Sequence, residues 1–315
     1  MMYGARRRDV FWGRVNAMQV GLNVRRLAAL SVVVSLLSAG AAAAAGPAVS
    51  TAQGARAADK AIDKATPQLT SHRAIYDMSL VKVSNSDGVR AASGTMTYTL
   101  TDRCDGYTIE TNLSLNLAFA NGNENQIEQR YAAWEAKDGR SSTFRFQVVE
   151  NGNVAKAYHG NIQFKDDGTG TATYDAGEPT TFDLPRGTLL STAHTLALLK
   201  SAASREKFLS KMVIDGSFDD GPFWVTAAIA SAHEGEVAQA KGGSADQLGT
   251  LGKGQYWPIG MAYFPAKSEQ TIPEYEITQN LMGSGITHSM VQDFGGFTLA
   301  FKPVRMEPVT PPPCN

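Results

Sequence analysis

The chain has 315 residues, 29 of them basic and 30 acidic, with five histidines, two cysteines and 43% hydrophobic residues. A formal charge of −1 disfavours a nucleic-acid role, which needs a cationic face to neutralise phosphate. The length is enough to bury a full core, as one large or two small domains.

At the N-terminus, Arg6, Arg7, Arg8, Arg14, Arg25 and Arg26 stand against a single acid, Asp9, and the run LAALSVVVSLLSAGAAAAAG follows. A charged region, an apolar region and an A-x-A-type site define a secretory signal peptide over 1–45, cut near Ala43 to Ala45. The strongly apolar part, Leu27 to Leu37, is short of the roughly 20 residues that a membrane span needs. No cysteine follows it to take a lipid anchor, and RRRDVF lies too far upstream for a twin-arginine signal. The charged region is long, and a start at Met18 instead of Met1 would give one of ordinary length. Loss of 1–45 leaves 23 basic and 29 acidic residues, a mature charge of −6, on a chain expected to be soluble and exported.

Residues 46–69 are alanine-rich and polar with no sustained apolar face, the pattern of a flexible linker. Structure is expected from about Ser71, in one β-rich domain over 70–315. The dominant period there is two. In YTIETNLSLNLAF, Tyr107, Ile109, Thr111, Leu113, Leu115, Leu117 and Phe119 share one face and polar residues the other, which predicts a long strand with one wet face. Similar alternation runs through Ala74 to Val83, Thr95 to Leu100, Ser142 to Val149 and Asn161 to Phe164. The clusters SNSDG, TDRCDG, NGNEN, AKDGR, ENGN and KDDGTG between them suit tight turns, so the arrangement is an antiparallel meander.

FDLPRGTLLSTAHTLALLKSAAS breaks the pattern. Leu189, Leu190, Ala193, Leu196, Ala197 and Leu199 recur at helical spacing after a proline-glycine entry, predicting one helix from about Thr188 to Ala202. Strands resume in KMVIDG, PFWVTAAIA, EYEITQNLM, ITHSMVQDF and FTLAFKPVRM. About a dozen strands exceed what one twisted open sheet comfortably holds, so the sheet should curl on itself, with the helix plugging or covering its concave face.

The two cysteines are Cys104, in TDRCDGYTIE, and Cys314, behind three prolines at the C-terminus. In an oxidising compartment they are expected to pair and pin the C-terminus to an early strand. The stiff PPP run can carry the last cysteine across a surface with little entropy to lose. A free thiol on a loose tail and an intermolecular bond are the alternatives. No C-x-x-C spacing supports a catalytic redox pair.

SHRAIYDMSL, CDGYTIE, LPRGTLLSTAHTLALL with IDGSFDDG, and FKPVRMEPVTPPPC, in this order, resemble the EipB-type cell-envelope-integrity proteins of alphaproteobacteria. The resemblance covers roughly residues 70 to 315. It implies a periplasmic protein with a mainly β, spiral-like or barrel-like, highly curved sheet holding one helix, a disulfide mapping onto Cys104 and Cys314, and a role in envelope integrity without an established enzymatic activity. The likeness of such sheets to lipoprotein carriers of the LolA type is an analogy of fold alone.

Chemistry is sparse. His72, His159, His194, His233 and His288 show no metal-ligand spacing, and no metal or cofactor is expected. His194, on the apolar helix, reads as a histidine hydrogen-bonded to a neighbouring loop in preference to a general base or a ligand-facing group. In IDGSFDDG, Asp215, Ser217 and Asp219 take the first, third and fifth positions of a calcium loop. Asp220 replaces the required glycine and Thr226 the required glutamate, so a solvated acidic turn is expected. Neither a phosphate-binding glycine pattern nor G-x-S-x-G is present.

A candidate surface for a ligand or partner consists of Trp224, Tyr256, Trp257, Tyr263, Phe264 and His194. QYWPIGMAYFP is read as an edge or loop because of its prolines. The sequence thus points to a non-enzymatic module that binds another envelope protein. The alternatives are a carrier of a lipid or lipoprotein acyl chain in the concave sheet and, less favoured, an envelope hydrolase using His194, Asp219 or Asp220.

Overall fold

The computed structural model describes residues 67–84, 88–236, 248–267 and 271–314. The expected signal peptide, its two candidate starts and residues 46–66 of the linker lie outside the described residues. At the linker's end, Leu69 is already buried.

Eight antiparallel strands succeed one another: β1 (His72–Val83), β2 (Val89–Asp102), β3 (Gly106–Phe119), β4 (Glu124–Ala136), β5 (Ser141–Glu150), β6 (Asn153–Phe164), β7 (Gly170–Asp175) and β8 (Pro179–Leu184). A short β9 (Leu189–Leu190) leads into helix α1 (Ser191–Ala203). Then come β10 (Phe208–Ile214), β11 (Phe223–Ile229), β12 (His233–Glu236), a 3-10 turn at Gly249–Gly252, β13 (Lys253–Pro265), β14 (Tyr275–Met282), β15 (Thr287–Asp293) and β16 (Phe297–Pro308). All sixteen strands belong to one sheet, in the order 8-7-6-5-4-3-2-1-16-15-14-13-11-10-9, with β12 on β13. Two meanders are joined where β1 pairs with β16, and the sheet ends at β8 on one side and β9 on the other. It is large, strongly curved and not closed, as a sheet of this size must be to bury one face.

Among the described residues the sheet has sixteen strands, where about a dozen were expected. On β3, Tyr107, Ile109, Thr111, Leu113, Leu115 and Leu117 are buried on the inner face, as the alternation predicts, while Phe119 is only half-buried. Each buried aliphatic side chain there contributes roughly 2 kcal/mol before conformational entropy is counted. On β4 the same inward set is Ile127, Gln129, Tyr131, Ala133 and Glu135, two of whose five members are polar, so hydropathy hides the strand.

Nor is QYWPIGMAYFP an edge or loop: it is most of β13, paired with β11 and β12 on one side and β14 on the other. Pro258 is tolerated because it falls at the junction between β12, which ends its pairing at Tyr256, and β11, which begins at Ile259. Its carbonyl accepts from the Ala230 N–H on that side, so the missing N–H removes no ladder bond there.

Helix α1 lies against the inner face, close to its expected limits. Ser191, Thr192, His194, Leu198, Leu199, Ser201 and Ala202 are buried. At 100° per residue they fall within one half of the helix circumference, with exposed Lys200 opposite, so α1 buries one broad face.

The Cys104–Cys314 disulfide closes the chain on itself, with Cα atoms 5.7 Å apart across a sequence separation of 210 residues. Cys104 occupies the β2–β3 turn with φ 65°, its N–H donating to Asp102 Oδ1. The last residues beyond β16 are also tied by the Val309 N–H to the Ser71 carbonyl. Loop-closure entropy gives such a crosslink about 5 kcal/mol as an upper figure. Cys104→Ser and Cys314→Ser should therefore lower stability equally in urea unfolding, and the double substitution should add little; clearly additive losses would sink the single-bond account.

Candidate functional site

The inner face is organised around a buried polar contact. Glu135, at the inward-facing end of β4, has no solvent exposure. Its Oε2 accepts from the Thr192 N–H at 2.8 Å and from Thr192 Oγ1 at 2.5 Å. The Ser191 N–H also favours its charged form. Helix α1 needs this partner, because its N-cap position is Leu190, which offers no side-chain acceptor. A carboxylate 57 residues upstream supplies the cap, placed where the unpaired N–H groups and the helix dipole favour negative charge. Burial pushes the Glu135 carboxyl up to about 7, against the pull of the Thr192 bonds, and nearby Asp215 pushes it further.

The second element is IDGSFDDG, between β10 and β11. It is not a solvated turn: Gly216, Ser217, Phe218 and Gly221 are buried. Asp215 accepts from Ser217 N–H and Oγ, and its main-chain carbonyl accepts from the Tyr131 hydroxyl on β4. Burial raises the pKa of Asp215 despite those Ser217 bonds. Asp219 pairs with Lys156 on β6 at 2.6 Å.

Gly216 (φ 80°) lies so near Phe144 that an added Cβ would sit 2.3 Å from its ring, and Gly221 (φ 93°) approaches Phe182 in the same way. Phe218 packs on Phe223 and stacks on Tyr275. The loop thus rests on an aromatic row of Phe144, Tyr158, Tyr174 and Phe182 that crosses β5 to β8. It holds the second meander against the first. Acidity misled the sequence reading, because the decisive features are glycines that let backbone lie flat on rings.

Between α1, β2–β4 and the β14–β15 hairpin, a cavity of about 40 Å³ remains. Tyr98, Tyr131, Ser191, Thr192, Thr195 and Thr287 give it polar lining, and Leu69, Met96 and Leu281 apolar lining. That is room for roughly three water molecules, far below the roughly 300 Å³ at which small-molecule sites begin. Thr192 and Glu135 form the closest hydroxyl–carboxylate pair at this site, but both are buried and engaged in holding the helix.

The expected surface residues do not share one surface. Trp224 is 47% exposed and lies opposite Phe264, which is half-buried. By strand alternation Tyr263 and Trp257 point to the other face, where they are buried. Tyr256 is half-buried and stacks on His233. His194 is 1% exposed and, contrary to expectation, has no hydrogen-bond partner among the described residues on either ring nitrogen. Burial, then nearby Lys211, lower it to about 4, so it is neutral at pH 7. Asp219 is held by Lys156 and Asp220 is exposed; neither bonds His194. Among the described residues, no group of three His, Cys, Asp or Glu could hold a metal ion. No helix among them is long and apolar enough to cross a membrane.

A curled sheet with an internal, acid-capped helix and a tail-closing disulfide defines a class of protein, and that class is matched by comparison with known families. The EipB-like family model matches residues 63–309, and the chain belongs to that family. The cell envelope integrity protein EipB of Brucella abortus is 27% identical over 242 residues, covering 76% of this chain and 84% of the relative. The crystal structure of a β-barrel-like DUF1849 protein from Brucella abortus superposes with a TM-score of 0.71 at 26% identity, over 77% of this chain and 99% of that one.

Two outcomes follow from the inner face. Because the Glu135 carboxyl is raised in the fold from an ordinary 4.5, its ionisation opposes folding, and this contribution weakens stability as pH rises from about 4.5 to 7. Glu135→Gln should remove that part of the pH dependence, read as urea midpoints at pH 5 and 8, whereas Glu135→Ala should cost about 2–4 kcal/mol at pH 5 and less at pH 8, where ionisation has already weakened the wild type. Gly216→Ala should cost about 3 kcal/mol, for the left-handed backbone plus the clash with Phe144. Gly187→Ala, at φ 86° with nothing within 4 Å, should cost only about 1 kcal/mol.

Proposed function

We propose that this chain is an exported, non-enzymatic periplasmic protein that supports envelope integrity by binding another envelope protein on its outer surface. Membership of the EipB-like family and the name of its Brucella relative support the envelope role. The observation that carries the mode of action is the filled inner face. Where helix α1 lies against β2–β4 the cavity holds only about 40 Å³, and the Asp215–Gly221 loop packs directly on the aromatic row. An acyl chain would have to displace the helix or the loop, breaking the Glu135–Thr192 and Lys156–Asp219 contacts. The inner hydroxyls and carboxyls serve as caps and anchors, which argues against hydrolysis.

Native mass spectrometry of protein taken from the periplasm without reductant tests the reading. The expected native mass is that of the bare chain cut near Ala43 to Ala45 and lacking the two hydrogens of one disulfide. A discrete additional mass of lipid size, lost on denaturation, would replace the binding module with a carrier.

A further inference from the structure

The two ends of the sheet differ in how they meet solvent. At β8 the last strand begins with Pro179 and carries exposed Thr180, Thr181 and Asp183, features that discourage another strand from adding. At the other end, β9 covers β10 only at Val213 and Ile214. Among the described residues, no strand pairs with that edge of β10 from Phe208 to Met212.

The side chains along this five-residue edge are sorted by alternation. Phe208, Ser210 and Met212 point to the outer face, where Met212 stands opposite Trp224 in the register. Phe208 is 79% exposed and Trp224 is 47% exposed, so the outer side of the edge is aromatic and wet. Lys207, Leu209 and Lys211 point to the other side. Within residues 200–211 the chain carries Lys200, Arg205, Lys207 and Lys211 against one acid, Glu206, in a mature protein of net charge −6. That acid is occupied by the Ser201 hydroxyl at 2.5 Å.

We propose that the free edge of β10 is a docking site for an extended segment of a partner protein in which acidic and apolar residues alternate. The segment adds to the sheet as a strand, its main chain pairing with Phe208–Met212. Successive side chains of a strand point to opposite faces. Its apolar residues therefore lie beside Phe208 and Met212, behind which Trp224 stands on β11, while its acids face Lys207 and Lys211. A second copy of this chain fits less well, because antiparallel pairing of two β10 edges about Ser210 would set the lysines of both copies on one side. This site rests on the reading of the protein as a binding module.

The probe is a short fluorescein-labelled peptide of alternating glutamate and valine, compared with one of alternating lysine and valine, on the full mature protein. The glutamate peptide should bind more weakly as salt rises and should slow hydrogen exchange at residues 208–212. Lys207→Glu with Lys211→Glu should weaken it by about tenfold or more. Absence of binding, equal binding of the lysine peptide, or binding unchanged by the charge reversal would overturn the proposal. So would a dimer in sedimentation that Phe208→Glu dissolves.

In cells, a photoreactive residue placed at Phe208 should crosslink to an alternating acidic and apolar segment. Crosslinks to an envelope protein from Val154, exposed on β6, with none from Phe208, would overturn the edge and leave the binding reading standing. None from any exposed position would remove both.

Discussion

A curled sheet can bury its inner face only if something fills the space it encloses, and here the filling element is held by a carboxylate that belongs to the sheet itself. Glu135 reaches from β4 to the first turn of α1 and takes the place of an N-cap that the helix does not encode. Without it, backbone N–H groups would be buried with no acceptor, each at a cost comparable to a lost hydrogen bond. The contact also fixes where the helix starts relative to β4. That in turn sets which side chains of α1 meet the inner face.

The electrostatic cost of this arrangement is visible in the raised carboxyl. A charge taken wholly out of water is tolerated only when hydrogen bonds and dipoles replace its hydration. Thr192 supplies both main-chain and side-chain donors, and the helix end supplies the dipole, yet burial still outweighs them. The Asp215 loop follows the same logic with a different balance. Its carboxyl is satisfied by Ser217 within the loop, and its main chain by Tyr131, so the loop carries its own donors into the core. The loop and the capped helix together make the interior a packed core with a small, partly polar void.

Long alternating strands were legible in the sequence because their inward faces are almost wholly apolar, as on β3, where Thr111 is the one polar member. The helix was legible because its leucines recur at helical spacing. Strand β4 was not, since Gln129 and Glu135 sit among its inward residues, and hydropathy cannot distinguish an inward carboxylate with a partner from an outward one without. The same ambiguity misplaced Asp215 in water, whereas Asp219 and Asp220 do reach it. Pro258 pointed away from a central strand, yet tertiary pairing places it at the one position where its neighbour changes from β12 to β11. The aromatic candidates were chosen by type, whereas exposure depends on parity within a strand. Trp224 and Tyr263 are separated by that rule alone.

If the interior is committed to packing, recognition falls to the perimeter, and there the decisive variable is the chemistry of the two edges. Both expose main-chain donors and acceptors, so main-chain pairing alone cannot favour one end over the other. Side chains break the tie. Proline, threonine and aspartate at β8 protect an edge; an exposed phenylalanine between lysines at β10 leaves one open and gives it a sign. A short basic, aromatic stretch on the uncovered edge of a strand concentrates attraction for acidic segments at one place. Under the proposed docking, the concave side maintains the shape and the open end presents a strand.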